Sequence, residues 1–370
     1  MRKPLGFAVI LSLLLSVSIS VAAQNISNLP GEKIKKIEAA ISSTMAKENI
    51  PGMSVAVVVD KKLAWMNGYG LADLENYIPA KASTMYRLAS ISKTITSTAV
   101  LQLAERGKLD LDAPVQKYCS AYPQKQWTVT TRQVLAHLGG VRHYGPQDGK
   151  FFQGAGENTK HYNSINDSLV FFKDDPLLHE PGSKYLYSSY GYNLLGCVIE
   201  GASGMTYLDY VRENVFKPAA MERIREDNVF AIVANRAQGY QKTRSGQLQN
   251  SDLADTSYKI PGGGFISTVE DLARFAIAIQ SNKLLKTDTL NQAWAKQKLK
   301  DGKESNYGLG WQLAERNGLQ EVSHGGNQAR VTTYLYMIPE RGMAVVLMMN
   351  LEGVGSRVEL ARQIADVILQ

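Results

Sequence analysis

One Ser-x-x-Lys occurs in the chain, Ser90-Ile91-Ser92-Lys93. Residues three apart share a helical face, so the Lys93 amine can reach the Ser90 hydroxyl. Behind them Ile95, Ala99, Val100, Leu101, Leu103 and Ala104 run up to Gly107 and predict a buried helix with a glycine stop. Ser90 would then sit at a helix N-terminus, where unpaired N–H groups and the positive end of the dipole favour an anion. A hydroxyl, an amine and backbone donors suffice for serine acyl transfer. The same residues also fit a serine N-cap with a solvated lysine, so other segments must supply a second proton carrier and a second oxyanion donor. Two offer them. Residues 181–192 are crowded with tyrosines, one of which can present a phenol or merely pack. Ser323-His324-Gly325-Gly326-Asn327 precedes a strand expected at 331–338. Glycines there let a substrate backbone approach, or form an ordinary turn with a surface histidine.

Both chain ends carry the elements that would hold these residues. Residues 30–48 bear Ile34, Ile37, Ile41 and Met45 at helical spacing. The apolar runs 53–59 and 63–69 read as a hairpin. Between the Ser90 helix and about residue 250 helical periodicity dominates, as in 131–138, 190–201 and 207–216. Pro261-Gly262-Gly263-Gly264 breaks the chain, and 267–270 caps a helix to about 280. Strands follow at 310–314, 331–338 and 343–350, then a closing helix at 356–369. One sheet built from both termini, with a helical insertion beside it, places Ser90 at the seam.

Bulk properties narrow the function classes. Arg2 and Lys3, a serine-broken apolar run from 7 to 21, and Val21-Ala22-Ala23 predict a secretory signal peptide cleaved after Ala23, with no stable membrane anchor afterwards. The chain has 370 residues and net charge +7. Its basic residues are dispersed apart from Lys33, Lys35 and Lys36, which suits solubility and makes no nucleic-acid groove. Cys197 lies in an apolar run and reads as a buried small hydrophobe, although export permits a bond with Cys119. The five histidines lack His-Glu-x-x-His spacing, and no P-loop or Gly-x-Gly-x-x-Gly appears, so neither metal nor organic cofactor is expected.

Taken in order, Ser90-Ile91-Ser92-Lys93, the tyrosine segment and His324-Gly325-Gly326 resemble the serine β-lactamase and penicillin-binding superfamily. Within it the class C β-lactamase-like branch is most similar, and there the mitochondrial serine β-lactamase-like proteins and their bacterial relatives. The similarity extends over 88–94, 107–115, 135–144, 181–195, 261–275 and 307–311. It implies a mixed α/β (α+β type) domain with an antiparallel sheet, here 24–85 and 259–370, plus a mainly helical domain, 86–258. It also implies roles. Ser90 would be the nucleophile, Lys93 would help deprotonate it, and Tyr187 would be a general base as phenolate and later an acid. The N–H groups of Ser90 and Asn327 would form the oxyanion hole. A phenol titrates near ~10, so Tyr187 serves as base only if a charged Lys93 favours its anion; otherwise Lys93 must itself be neutral.

Three positions depart from the family pattern. Ser189 replaces the asparagine of Tyr-x-Asn, and His324 the lysine of Lys-Thr-Gly. A histidine largely neutral at pH 7 weakens carboxylate binding, while Arg330 offers a replacement cation. Ser189, His324, Gly325, Gly326, Asn327 and Arg330 are thus the expected substrate-facing set. The expected activity is that of a peptidase or esterase acting through an acyl-enzyme on Ser90, with a small-molecule or peptide substrate. The alternatives are a β-lactamase or D-alanyl-D-alanine carboxypeptidase, and a non-hydrolytic binding or assembly module.

Overall fold

The computed structural model describes residues 28–145, 148 and 158–370. The expected signal peptide lies outside the described residues. Seven strands form one antiparallel sheet: β1 (Gly52–Val59), β2 (Lys62–Asp73), β3 (Ile78–Pro79), β4 (Gln312–Arg316), β5 (Leu319–Gln328), β6 (Val331–Ile338) and β7 (Met343–Met349). Their spatial order is β4-β5-β6-β7-β1-β2-β3. The two chain ends meet where β1 pairs with β7, with Val55 opposite Leu347 and Val57 opposite Val345. Both strands are covered on both faces, which explains why they read as continuous apolar runs rather than alternating ones.

On one face lie helices α1 (Gly31–Glu48) and α5 (Arg357–Leu369), burying Ile37, Ile41, Leu360 and Ile364 against Val55, Tyr336 and Leu347. On the other face lie α2 (Ser92–Glu105), α3 (Ser189–Ser203) and α4 (Val269–Gln280), with Ile95, Leu195, Phe275 and Ile279 in one core with Ala56 and Val346. The α4 cap forms one residue later than the sequence suggests, with Thr268 Oγ1 accepting from the Asp271 N–H at 3.2 Å.

Other expectations are corrected. The stretch expected to be helical up to 250 also contributes strands. Arg225–Glu226 joins Phe265–Ser267 and Tyr86–Arg87 in a small sheet, and Tyr240–Lys242 pairs with Leu248–Asn250. Two- and three-residue strands are too short to show a period, and long-range pairing alone selects them. His324-Gly325-Gly326 does precede the strand 331–338, and it lies on a strand of its own, β5, which the sequence did not reveal. Cys197 is not a free buried thiol but is bonded to Cys119. The bond ties α3 to the segment after α2.

Candidate active site

Ser90 sits on a 3-10 turn, Ala89–Ile91, immediately before α2. Ala89 has φ +48°, a left-handed conformation that strains a residue with a side chain. Neighbours hold this turn firmly. The Leu88 N–H donates to Phe265 O at 2.7 Å, and Thr333 Oγ1 donates to Leu88 O at 2.8 Å. Arg87, buried, pairs with Asp227 at 2.6 Å and donates to Ala254 O and Ala329 O.

Lys93, fully buried, brings three groups together. Its Nζ lies 3.0 Å from Ser90 Oγ, 2.9 Å from Ser189 Oγ and 2.6 Å from Gly262 O. Burial, reinforced by the positive charge of Lys259, pushes its pKa well below the ordinary lysine value. The Tyr187 hydroxyl is hydrogen-bonded with Ser90, its ring lies 4.9 Å from Lys93 Nζ, and burial pushes its pKa up.

Two histidines set the entry to α3. The Ser188 N–H donates to His137 Nδ1 and the Ser189 N–H to His143 Nδ1, each at 3.1 Å. Accepting at Nδ1 requires each ring to be neutral there, and burial pushes both pKa values down, that of His143 to about 4. The Ser188 side chain caps α3 by accepting from the Gly191 N–H at 2.9 Å. Tyr187 and Ser189, flanking that cap, are thereby aimed at Lys93.

These groups open onto a cavity of about 550 Å³ whose lining includes Ser90, Tyr187, Ser189, His143, Lys259 and Asn327. Of the residues expected to face substrate, Ser189 and Asn327 line it. Gly326 packs under the turn that carries Ser90: a Cβ there would meet Leu88 O at 2.4 Å and Thr333 Oγ1 at 2.2 Å. Gly325 alternates to the opposite face of the strand, where a Cβ would meet Arg357 of α5 at 3.3 Å. His324 and Arg330 are outside the lining, contrary to expectation. His324 is fully buried, with Nε2 accepting from Tyr307 OH and Nδ1–H donating to Gly325 O, each 2.8 Å long. Arg330 occupies the two-residue turn between β5 and β6 at φ +78°, and its Cβ packs against Gly239. It lines a separate small cavity.

Sequence reasoning missed Lys259, His143 and Tyr144. Lys259 is buried in the wall, its Nζ 5.3 Å from the Tyr144 ring centroid and 5.2 Å from that of Tyr258. Its one local signal is a position two residues before Pro261, at the glycine break that delivers Gly262 O to Lys93. His143 and Tyr144 stand in a stretch already matched to the family, but nothing in the sequence assigns them to the pocket. Among the described residues no group of acidic, histidine or cysteine side chains could hold a metal ion.

Comparison with known proteins gives this geometry a lineage. The Beta-lactamase family model matches residues 37–369, nearly the whole described chain. The chain belongs to the beta-lactamase family. The human mitochondrial serine beta-lactamase-like protein LACTB is 31% identical over 82% of this chain and 74% of its own length. An octameric penicillin-binding protein homologue from Pyrococcus abyssi superposes with TM-score 0.76, 25% identity, and coverage of 91% of this chain and 77% of that one. A D-stereospecific amidohydrolase from Streptomyces sp. shares the fold at TM-score 0.75 and 21% identity, covering 90% of this chain and 97% of that one. The family is one of serine hydrolases, and this member shares its mixed α/β architecture with a large antiparallel sheet. Among the described residues no helix is long and apolar enough to cross a membrane.

Proposed function

We propose that the chain hydrolyses amide or ester bonds of peptide-like or small acyl substrates, with Ser90 as nucleophile, neutral Lys93 as base and Tyr187 as a proton carrier. The coordination of Lys93 carries this reading. A neutral amine has two N–H donors and one lone pair. Gly262 O at 2.6 Å and Ser189 Oγ at 2.9 Å accept the two donors, leaving the lone pair for the Ser90 hydroxyl at 3.0 Å. Burial and Lys259 disfavour the charged form of Lys93, and burial keeps Tyr187 protonated, so the phenolate-base alternative receives no support.

The chemistry then balances. Ser90 Oγ bonds to the carbonyl carbon as its proton passes to Lys93 Nζ. The oxyanion forms against the backbone N–H groups of Ser90 and Asn327. Collapse breaks the bond to the leaving group, which takes a proton from Lys93 through the Tyr187 phenol. Water repeats the sequence on the acyl-enzyme and frees Ser90. Intact mass after incubation with a fluorophosphonate, and turnover of p-nitrophenyl esters and D-alanyl peptides, test the proposal. Adduct and turnover are expected in the native protein and absent in Ser90→Ala; turnover unchanged by that substitution refutes it.

Lys259 supports a second reading, hydrolysis of carboxylate-bearing compounds such as β-lactams or D-alanyl ends, because an ammonium stands in the pocket wall although His324 replaces the usual lysine. That reading expects Lys259→Gln to weaken a free acid relative to its methyl ester by about tenfold. We also infer that the mature protein works outside the cytosol. The Arg2-Lys3 and apolar leader and the Cys119–Cys197 bond support export to an oxidising space. N-terminal sequencing of the fractionated protein is expected to begin at Gln24; an intact leader on cytosolic protein refutes it.

A further inference from the structure

Arg330 was expected to supply a cation to the substrate, and its actual surroundings suggest another use. It lines a cavity of about 10 Å³ together with Met85, Tyr86, Arg87, Asp227 and Arg236. That is about the space one ordered water needs. The Arg87 and Arg236 guanidiniums stand 2.6 and 3.8 Å from the Asp227 carboxylate, and Arg330 lines the same cavity.

The hydrogen bonds do not use up the donors. Arg87 uses three of its five N–H donors on Asp227, Ala254 O and Ala329 O. Arg236 donates through Nη2 to Asn228 O at 2.9 Å and lies 3.8 Å from Asp227, but its buried Nε has no partner. The half-buried Arg330 guanidinium makes no hydrogen bond to a described residue; only its backbone N–H does, to Glu352 Oε1 at 2.9 Å. Asp227 and the nearby Glu352 together leave one positive charge uncompensated. A buried donor without an acceptor and clustered guanidiniums that outnumber their carboxylates are both costly. A small anion would remove both costs at once.

We propose that the cavity between Arg87, Arg236 and Arg330 is a binding site for a monovalent inorganic anion of chloride size. Its position links it to catalysis. Arg87 lies three residues before Ser90, and Arg330 three residues after Asn327. An anion joining the two guanidiniums fixes the spacing of the two segments that bear the oxyanion donors. It is separate from the substrate cavity: none of the three arginines lines the latter. The inference does not depend on the proposed hydrolysis, because occupancy is read by stability and diffraction.

The test is thermal unfolding of the full chain in sodium chloride against sodium gluconate at equal ionic strength. The expected result is a saturating, chloride-specific rise in Tm of about 3 °C or more, as for a ligand that binds only the folded state. Arg330→Asn removes one guanidinium and keeps a residue that tolerates positive φ; Arg236→Gln removes the other orphan donor. Each is expected to abolish the chloride-specific rise. Bromide soaked into crystals of the native protein is expected to give an anomalous peak between Arg236 and Arg330. Equal shifts in chloride and gluconate, a chloride shift that survives both substitutions, or no bromide peak in the cavity would overturn the proposal.

Discussion

His324 gives the sharpest quantitative test. Burial, with a smaller contribution from Lys93 charge, pushes its pKa to about 3, against an unfolded value near ~6.5. If Lys93 is neutral, as proposed, its contribution disappears, and burial, the largest cause, remains. Because the folded pKa is depressed, the unfolded state binds the extra proton first as pH falls. The stability is therefore complete above about pH 6.5 and drains away as pH falls towards 3. One proton corresponds to about 1.4 kcal/mol per pH unit, so the whole interval is worth roughly 5 kcal/mol. That is a large share of a typical total of ~5–15 kcal/mol. His324→Gln keeps an acceptor for Tyr307 OH and removes the titration. At pH 7.5 it should cost only about 0.5–1.5 kcal/mol, the net worth of one imperfectly replaced hydrogen bond. Urea unfolding of both proteins at pH 7.5, 6.0, 5.0 and 4.0 measures the difference. His137 and His143 titrate in both proteins and cancel. The variant should recover about 1.4 kcal/mol on the native protein for each pH unit below 6. A difference independent of pH refutes the assignment of a buried, neutral His324.

Four further outcomes follow from the packing. Lys93→Met and Lys93→Arg should each lower kcat by about 10²–10⁴-fold; near-native activity in the arginine variant, which keeps the charge but cannot deprotonate, would sink the neutral-base scheme. Native kcat/KM should rise with pH through an ionisation well below the ordinary lysine value, since activity needs the unprotonated amine. Gly326→Ala places a methyl group against Leu88 O and Thr333 Oγ1; it should cost about 1–3 kcal/mol and depress kcat more than KM, as steady-state kinetics on refolded protein will show. Replacing Cys119 and Cys197 together by alanine should lose roughly 4 kcal/mol in the chain-entropy picture for the 78-residue separation. Unfolding with and without reductant reads that loss, and no change in the native protein on reduction argues against the bond.

What was legible in the sequence divides along the range of the interactions. Ser90 and Lys93 are three residues apart on one helical turn, so their meeting is local and a single short pattern reveals it. β1 and β7 announce themselves as unbroken apolar runs because helices cover both faces of that part of the sheet. Tyr187 and Asn327 were reachable only through the order of the family's motifs, since nothing local says that a tyrosine in a row of tyrosines points at Ser90. Lys259, His143 and the Cys119–Cys197 bond depend wholly on tertiary placement. His324 and Arg330 were misplaced for different reasons. Strand alternation puts His324 on the same face as Gly326, but Tyr307 closes over it. Arg330 was judged by charge alone, whereas its position in a two-residue turn with positive φ directs it elsewhere.

Together these placements change the account of how the pocket is charged. Four basic-looking groups around Ser90, namely Lys93, His137, His143 and His324, are all pushed by burial towards their neutral forms. The three histidines are held by hydrogen bonds that need an unprotonated ring nitrogen. The tyrosines around them, Tyr185, Tyr187, Tyr192 and Tyr307, are pushed towards the protonated phenol. These groups resist charge and lower the local polarity around Lys93, and with the positive charge of Lys259 they favour its neutral form, as the proposed mechanism requires. In the proposed mechanism Lys93 takes the Ser90 proton, and its new charge then has the Tyr187 ring 4.9 Å away and two oxygen acceptors already in place. The proposed oxyanion, held at the Ser90 and Asn327 N–H groups, would form in the same site, so the two charges would appear together and offset each other. Replacing Ser189, one of those two acceptors, by alanine removes a partner that the ammonium needs more than the amine does. On this reasoning the change slows acylation more than it weakens substrate binding.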